Sequence, residues 1–143
     1  MGYTVYWKNK KRISPTKLIA VKKAVMKTFR SELKKDGLLK KWDDWNKAWT
    51  KGHPSYNLDK YFHEGFSASM IGNRDFEFCK TARKSYDGAV KKALIKLQQL
   101  TNNAYDISCD DGGKYFADTV LEKTVWGNWV PKGLAGVEFV KLK

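Results

Sequence analysis

The densest concentration of chemically useful side chains is Cys79-Lys80-Thr81-Ala82-Arg83-Lys84-Ser85-Tyr86-Asp87. It follows the short extended run Phe76-Glu77-Phe78 and precedes a helical pattern that begins near Ser85 or Tyr86. A strand-to-helix loop presents unpaired backbone N–H groups beside the positive end of a helix dipole, and both favour a bound anion. Lys80, Arg83 and Lys84 add charge, Thr81 and Ser85 add hydroxyls, and an arginine can hold a phosphate or carboxylate through two parallel hydrogen bonds. The loop has too few glycines for a P-loop, so no nucleotide triphosphatase is implied. The same residues also read as an ordinary helix start, with Ser85 as its cap and the cations solvated.

Other constellations are weaker. His53 and His63 are the only histidines, which excludes a multi-histidine metal cage. His63-Glu64 is an acid–base pair in composition, but neighbours on a strand point to opposite faces. A Cys79–His63 nucleophile pair is the other enzymatic option; a lone Cys and a lone His are more often structural. Asp106, Asp110 and Asp111 lack EF-hand spacing and read as part of a turn. Neither cysteine belongs to a CxxC pair, so no zinc site is expected. The sequence therefore assigns no catalytic residue, no metal ligand and no cofactor.

Two stretches together resemble a known family. Gly2-Tyr3-Thr4-Val5-Tyr6-Trp7 and Phe76-Glu77-Phe78-Cys79-Lys80-Thr81-Ala82-Arg83-Lys84-Ser85-Tyr86-Asp87 are similar to an uncharacterised family of small phage and bacterial proteins. Its members open with GYTHYW and carry FCKTARKPYD before a helix. The turn Asp110-Asp111-Gly112 and the helix expected after it are also similar, and the likeness covers about half the chain in patches. It implies a phage or prophage setting more than a reaction. It marks Tyr3, Tyr6, Trp7, Glu64, Lys80, Thr81, Arg83, Lys84, Tyr86 and Asp87 as ligand-binding candidates. Val5 stands where the family has histidine and Ser85 where it has proline, and losing that histidine removes a general base from the opening strand.

The elements that must position these residues follow from periodicity. Gly2–Lys8 alternates as a strand, with Tyr3, Val5 and Trp7 on one side. Ser14-Pro15 is an N-cap followed by proline at the first helical position. Leu18, Val21, Val25, Phe29 and Leu33 then recur at helical spacing, and Asp36-Gly37 stops the helix. Lys23, Lys27, Arg30 and Lys34 share another face of it. Leu38–Thr50 is a second helix with Trp42, Trp45 and Trp49 on one stripe, which reads as core or, alternatively, as a stacking platform. Lys51–Lys60 is a loop, and Tyr61–Ile71 reads as extended. A third helix is predicted from Tyr86 to Leu100, with Val90, Leu94 and Leu97 inward and Lys91, Lys92 and Lys96 outward. Tyr105–Cys109 is a strand, Lys114–Val125 a helix and Val137–Leu142 a closing strand. The order predicts a single α+β domain over residues 1–143, a mostly antiparallel sheet packed with three to four helices.

The chain has 143 residues, enough for one core. No apolar run reaches bilayer-spanning length, and there is no signal-peptide or myristoylation pattern, so a soluble cytoplasmic protein with two reduced thiols is expected. The net charge is +13, and residues 1–41 hold 13 basic residues against Glu32 and Asp36, or +11 of that excess. Lopsided positive fields attract polyanions. The expected partner is an anionic, nucleotide-like small molecule, such as a host immune signal that the protein sequesters. The alternatives are nucleic acid, held by Lys23, Lys27, Arg30 and Lys34 with exposed aromatics, and an acidic host protein. No membrane partner is expected, and a homo-oligomer is compatible with the sequence.

Overall fold

The computed structural model describes residues 3–52, 58–73, 76–125 and 127–133. Four strands form one antiparallel sheet: β1 (Thr4–Asn9), β2 (Glu77–Lys80), β3 (Tyr105–Cys109) and β4 (Lys114–Tyr115), in the order β2-β1-β3-β4. Three helices pack with it, α1 (Pro15–Lys35), α2 (Leu39–Thr50) and α3 (Asp87–Thr101), together with a single 3-10 turn at Ala68–Met70. A separate hairpin pairs β5 (Leu121–Lys123) with β6 (Trp129–Pro131). This is the α+β, mostly antiparallel domain that the pattern predicts. No helix among the described residues is long and apolar enough to cross a membrane.

Alternation divides the main sheet into two faces. Tyr3, Val5 and Trp7, Cys79, Tyr105, Ile107 and Cys109, and Tyr115 are all buried on the helical side. Tyr6, Lys8, Phe78, Lys80, Asp106 and Lys114 point the other way and are partly or wholly exposed. That is the pattern of an antiparallel sheet covered on one face only. Val5 pairs in register with Cys79 on one neighbour and with Cys109 on the other. The thiols are thus two strand spacings apart, roughly 10 Å, beyond reach of a disulfide, and both are free.

α1 starts as its sequence dictates: Ser14 Oγ accepts the Lys17 N–H, Pro15 occupies the first turn, and Gly37 after the Asp36 cap takes φ +71°. Val21, Val25, Phe29 and Leu33 are buried, and Lys23, Lys27, Arg30 and Lys34 are exposed on another face. On α2, Trp42 and Trp45 enter the core against Phe29, Phe62 and Tyr86. Trp49 remains half exposed, so the indole stripe is core for two of its three members.

Three expectations need correction. Tyr61–Ile71 is not a strand: Phe62 and Phe66 are buried, but the backbone is irregular before the 3-10 turn. Side chains take its polar groups instead of a ladder. The Tyr86 hydroxyl donates to the Glu64 carbonyl (2.6 Å) and accepts the Glu64 N–H (2.9 Å), while Glu64 Oε1 accepts the Lys80 N–H of β2 (2.8 Å). His63 and Glu64 therefore lie on no strand at all. Lys114–Val125 is not a helix but β4 and β5, because the Cys109–Gly113 turn folds the chain back on β3 and the Thr119 hydroxyl accepts the Phe116 N–H in a second turn. Finally, Lys91 does not face outward. α3 is buried nearly all round, between α1, the sheet and the β5–β6 hairpin, and Lys91 has no solvent exposure. The proposed strand Val137–Leu142 lies outside the described residues.

Candidate functional site

The loop from β2 to α3 is held in a costly conformation. Ala82 and Arg83 both lie in the left-handed region, at φ +51° and +56°. Residues with a Cβ seldom adopt it, and each instance costs about 1–3 kcal/mol. Tyr3 holds both: its carbonyl accepts the Ala82 N–H (3.0 Å) and the Arg83 guanidinium lies 4.2 Å over its ring. The chain then turns through the Lys84 N–H to Thr81 carbonyl bond and enters α3. Tyr86 is the N-cap residue and makes no side-chain cap bond, so Ser85 is not the cap that the sequence suggested.

Beneath the loop lies a buried polar network. Thr81 Oγ1 donates to Asp87 Oδ1 (2.5 Å), and Asp87 Oδ2 pairs with Lys91 Nζ at 2.8 Å. Lys91 also donates to the Tyr3 hydroxyl (2.7 Å) and to the Trp129 carbonyl (2.5 Å). The Tyr3 hydroxyl in turn donates to Asp111 Oδ2 (2.9 Å), with Cys109 Sγ 3.2 Å away. Burial works against the charge of Asp111, but bonds from the Cys109 thiol and the Gly113 N–H, the Lys91 charge and the Tyr3 hydroxyl hold its carboxyl below the usual range. Burial pushes the Tyr3 phenol far up, with the charges of Cys109 and Asp87 adding to it, so it stays a neutral donor.

Above this floor opens a cleft of about 490 Å³, within the usual range for small-ligand sites. Arg83, Lys84, Ser85 and the first turn of α3 at Asp87 and Gly88 form its base. Asp36, Gly37, Leu38, Lys41 and Tyr61 form one wall, and Lys123, Gly127, Asn128 and Trp129 of the hairpin contribute the other. Lys41 Nζ stands 5.2 Å from the Tyr61 ring centre and Lys123 Nζ 5.4 Å from that of Trp129. The indole of Trp129 lies directly on Gly88, where a Cβ would stand 2.4 Å from Cδ1. Comparison with family models, curated proteins and solved structures gives no match.

Of the ten ligand-binding candidates, Arg83, Lys84 and Asp87 line the cleft, and Tyr3 and Thr81 support it from below. Trp7 and Tyr86 are core, with Trp7 Nε1 donating to the Met70 carbonyl (3.0 Å). Glu64 braces β2, while Tyr6 and Lys80 lie on the opposite, open face of the sheet. The sequence reading missed Lys41, Tyr61, Lys91, Lys123 and Trp129. One signal was present: Asp87-Gly88 puts a glycine in a first helical turn, where only a close neighbour favours it over alanine.

The cysteine chemistry considered above does not arise at Cys79. It is buried, its sulfur faces the Glu64 and Gly65 carbonyls and the Tyr86 hydroxyl, and burial pushes its thiol up to about 12. Burial likewise lifts Cys109 to about 11. The aspartates serve the turn: Asp110 accepts the Thr4 N–H and the Tyr6 hydroxyl, and no cluster of metal-ligating groups occurs among the described residues. Because both thiols titrate higher in the folded state than the ordinary 8.5 or so, their contribution is complete below about pH 8.5. It is lost as pH rises towards 11–12. Stability should fall by up to about 1.4 kcal/mol per pH unit for each thiol. Urea midpoints at pH 7.5 and 10.5 measure this, and Cys79→Ala should make the fall shallower.

Proposed function

We propose that the cleft binds a phosphorylated, nucleotide-like small molecule and that the protein acts by holding it unchanged. The observation that carries this reading is the convergence of Lys41, Arg83, Lys84 and Lys123, from three separate parts of the chain, on one cleft at the N-terminus of α3. The helix terminus and the cations suit a phosphate, and Tyr61 and Trp129 offer flat apolar surface for a base. Of the two acids among the described lining residues, Asp87 is paired with Lys91, which leaves Asp36 alone against the four cations. Neither cysteine lines the cleft, and among its described lining residues the Ser85 hydroxyl has no histidine to activate it. This supports retention rather than turnover. A phage setting rests on the motif resemblance, and a host immune signal is one nucleotide-like ligand that such a setting would offer. The reading in which α1 binds nucleic acid is weakened because Arg30 is held by Asp43 through two bonds, 2.7 and 3.1 Å.

Calorimetric titration with a panel of linear and cyclic nucleotides and the matching unphosphorylated nucleosides tests this. Phosphorylated members should bind and be recovered intact after heat release. Arg83→Gly suits the left-handed backbone while removing the cation, so it should lower affinity at least tenfold without loss of stability; adding Lys84→Ala should lower it further. Equal binding of the bare nucleosides, or unchanged affinity in the double variant, overturns the proposal.

A further inference from the structure

The face of the main sheet turned away from the helices carries a second arrangement that the cleft does not use. Tyr6 of β1 is directly opposite Phe78 of β2, and Phe76 lies just before that strand. The three rings are contiguous, with centroids 5.9 Å apart from Tyr6 to Phe76 and 5.9 Å from Phe76 to Phe78. Phe76 is 55% exposed and Phe78 38%. The helices cannot cover these rings, because they pack on the other face, over Val5, Trp7 and Cys79. Solvated faces of antiparallel sheets are normally polar, so a row of three aromatic rings there calls for an explanation.

Cations border the row. Lys80 Nζ lies 6.0 Å from the Phe78 ring centre, and Lys8 extends β1 beyond Tyr6 on the same face. Lys114 pairs with Ser108, itself the partner of Tyr6 on the side away from Phe78. The two acids on this face are engaged locally: Asp110 accepts the Tyr6 hydroxyl at 2.7 Å, and Asp106 lies 3.9 Å from Lys114. A flat row of rings edged by lysines, in a chain of net charge +13, suits a polyanion whose repeating units are themselves flat. In a duplex the bases stack on one another and are closed to a sheet surface, whereas unpaired bases can stack on aromatic side chains. We propose that this face is a stacking platform for single-stranded nucleic acid, with bases on Tyr6, Phe76 and Phe78 and phosphates near Lys8, Lys80 and Lys114. None of these residues lines the cleft, so the two sites stand or fall separately.

Fluorescence anisotropy with labelled 12-nucleotide oligo-dT and oligo-U, and with a duplex of equal length, tests the platform. Both single strands should bind more tightly than the duplex, with affinity falling as salt rises from 50 to 200 mM. Phe76→Ala with Phe78→Ala alters exposed side chains, so the variant should melt as the wild type does yet bind at least tenfold more weakly. Arg83→Gly should leave this binding unchanged. The proposal is overturned if the single strands do not bind, or if the double phenylalanine variant binds them as the wild type does. It is equally overturned if the duplex binds as well as the single strands, or if Lys23→Ala with Lys27→Ala and Lys34→Ala abolishes binding while the phenylalanine variant retains it.

Discussion

Lys91→Met should cost about 3–5 kcal/mol of folding stability, the usual effect of removing one member of a buried ion pair. Methionine preserves most of the side-chain length, so the loss is electrostatic rather than steric. The Asp87 carboxylate would remain buried, with the Thr81 hydroxyl donating to it but no cation. The Tyr3 oxygen and the Trp129 carbonyl would each lose a donor as well. Chemical denaturation of the single variant checks the magnitude. Pairing Lys91→Met with Asp87→Leu should restore much of the loss, because it also removes the stranded charge. If the pair is as unstable as the single change, the network contributes through shape rather than through its charges.

Gly88→Ala should destabilise by about 1–3 kcal/mol, as overpacking does, although alanine is the better helix former. The new methyl would stand 2.4 Å from Cδ1 and 2.9 Å from Nε1 of Trp129. An indole cannot bend away as a lysine tail could, so the β5–β6 hairpin must shift with it. The shift also opens the wall of the cleft, and ligand affinity should fall together with melting temperature. Trp129 fluorescence cannot report this alone, since the chain has six tryptophans. The hairpin's amide resonances can. A variant that melts as the wild type does would show that the hairpin is only loosely seated.

The parts of the fold legible in the sequence are those with strong local rules. Ser14-Pro15 and Asp36-Gly37 delimit α1 by capping chemistry, and the alternation of Tyr3, Val5 and Trp7 sets the buried face of β1. Lys91 is illegible because helical periodicity by itself marks a single apolar stripe. α3 is enclosed on several sides, and Ala89, Val90, Ala93, Leu94, Ile95 and Leu97 are all buried around it. The i,i+4 spacing of Asp87 and Lys91 was visible, but it reads equally as a surface pair. β4 has two residues and β5 three, too short for any period to register, so Lys123 and Trp129 were not placed near the Arg83 loop. The loop itself was found by its polar density. Its left-handed Ala82 and Arg83 were not, since neither residue type signals that conformation.

The enclosure of α3 has a consequence for affinity. A helix wedged between α1, the sheet and the β5–β6 hairpin cannot slide or tilt to meet a guest without disturbing the core on several sides. Its first turn is therefore a rigid socket, and the strain at Ala82 and Arg83 is met once, when the chain folds. A molecule entering the cleft has little backbone left to immobilise, so more of its gross attraction survives as net affinity. For a protein proposed to hold its ligand unchanged, such pre-organisation lowers the cost of binding and leaves no conformational step to slow entry.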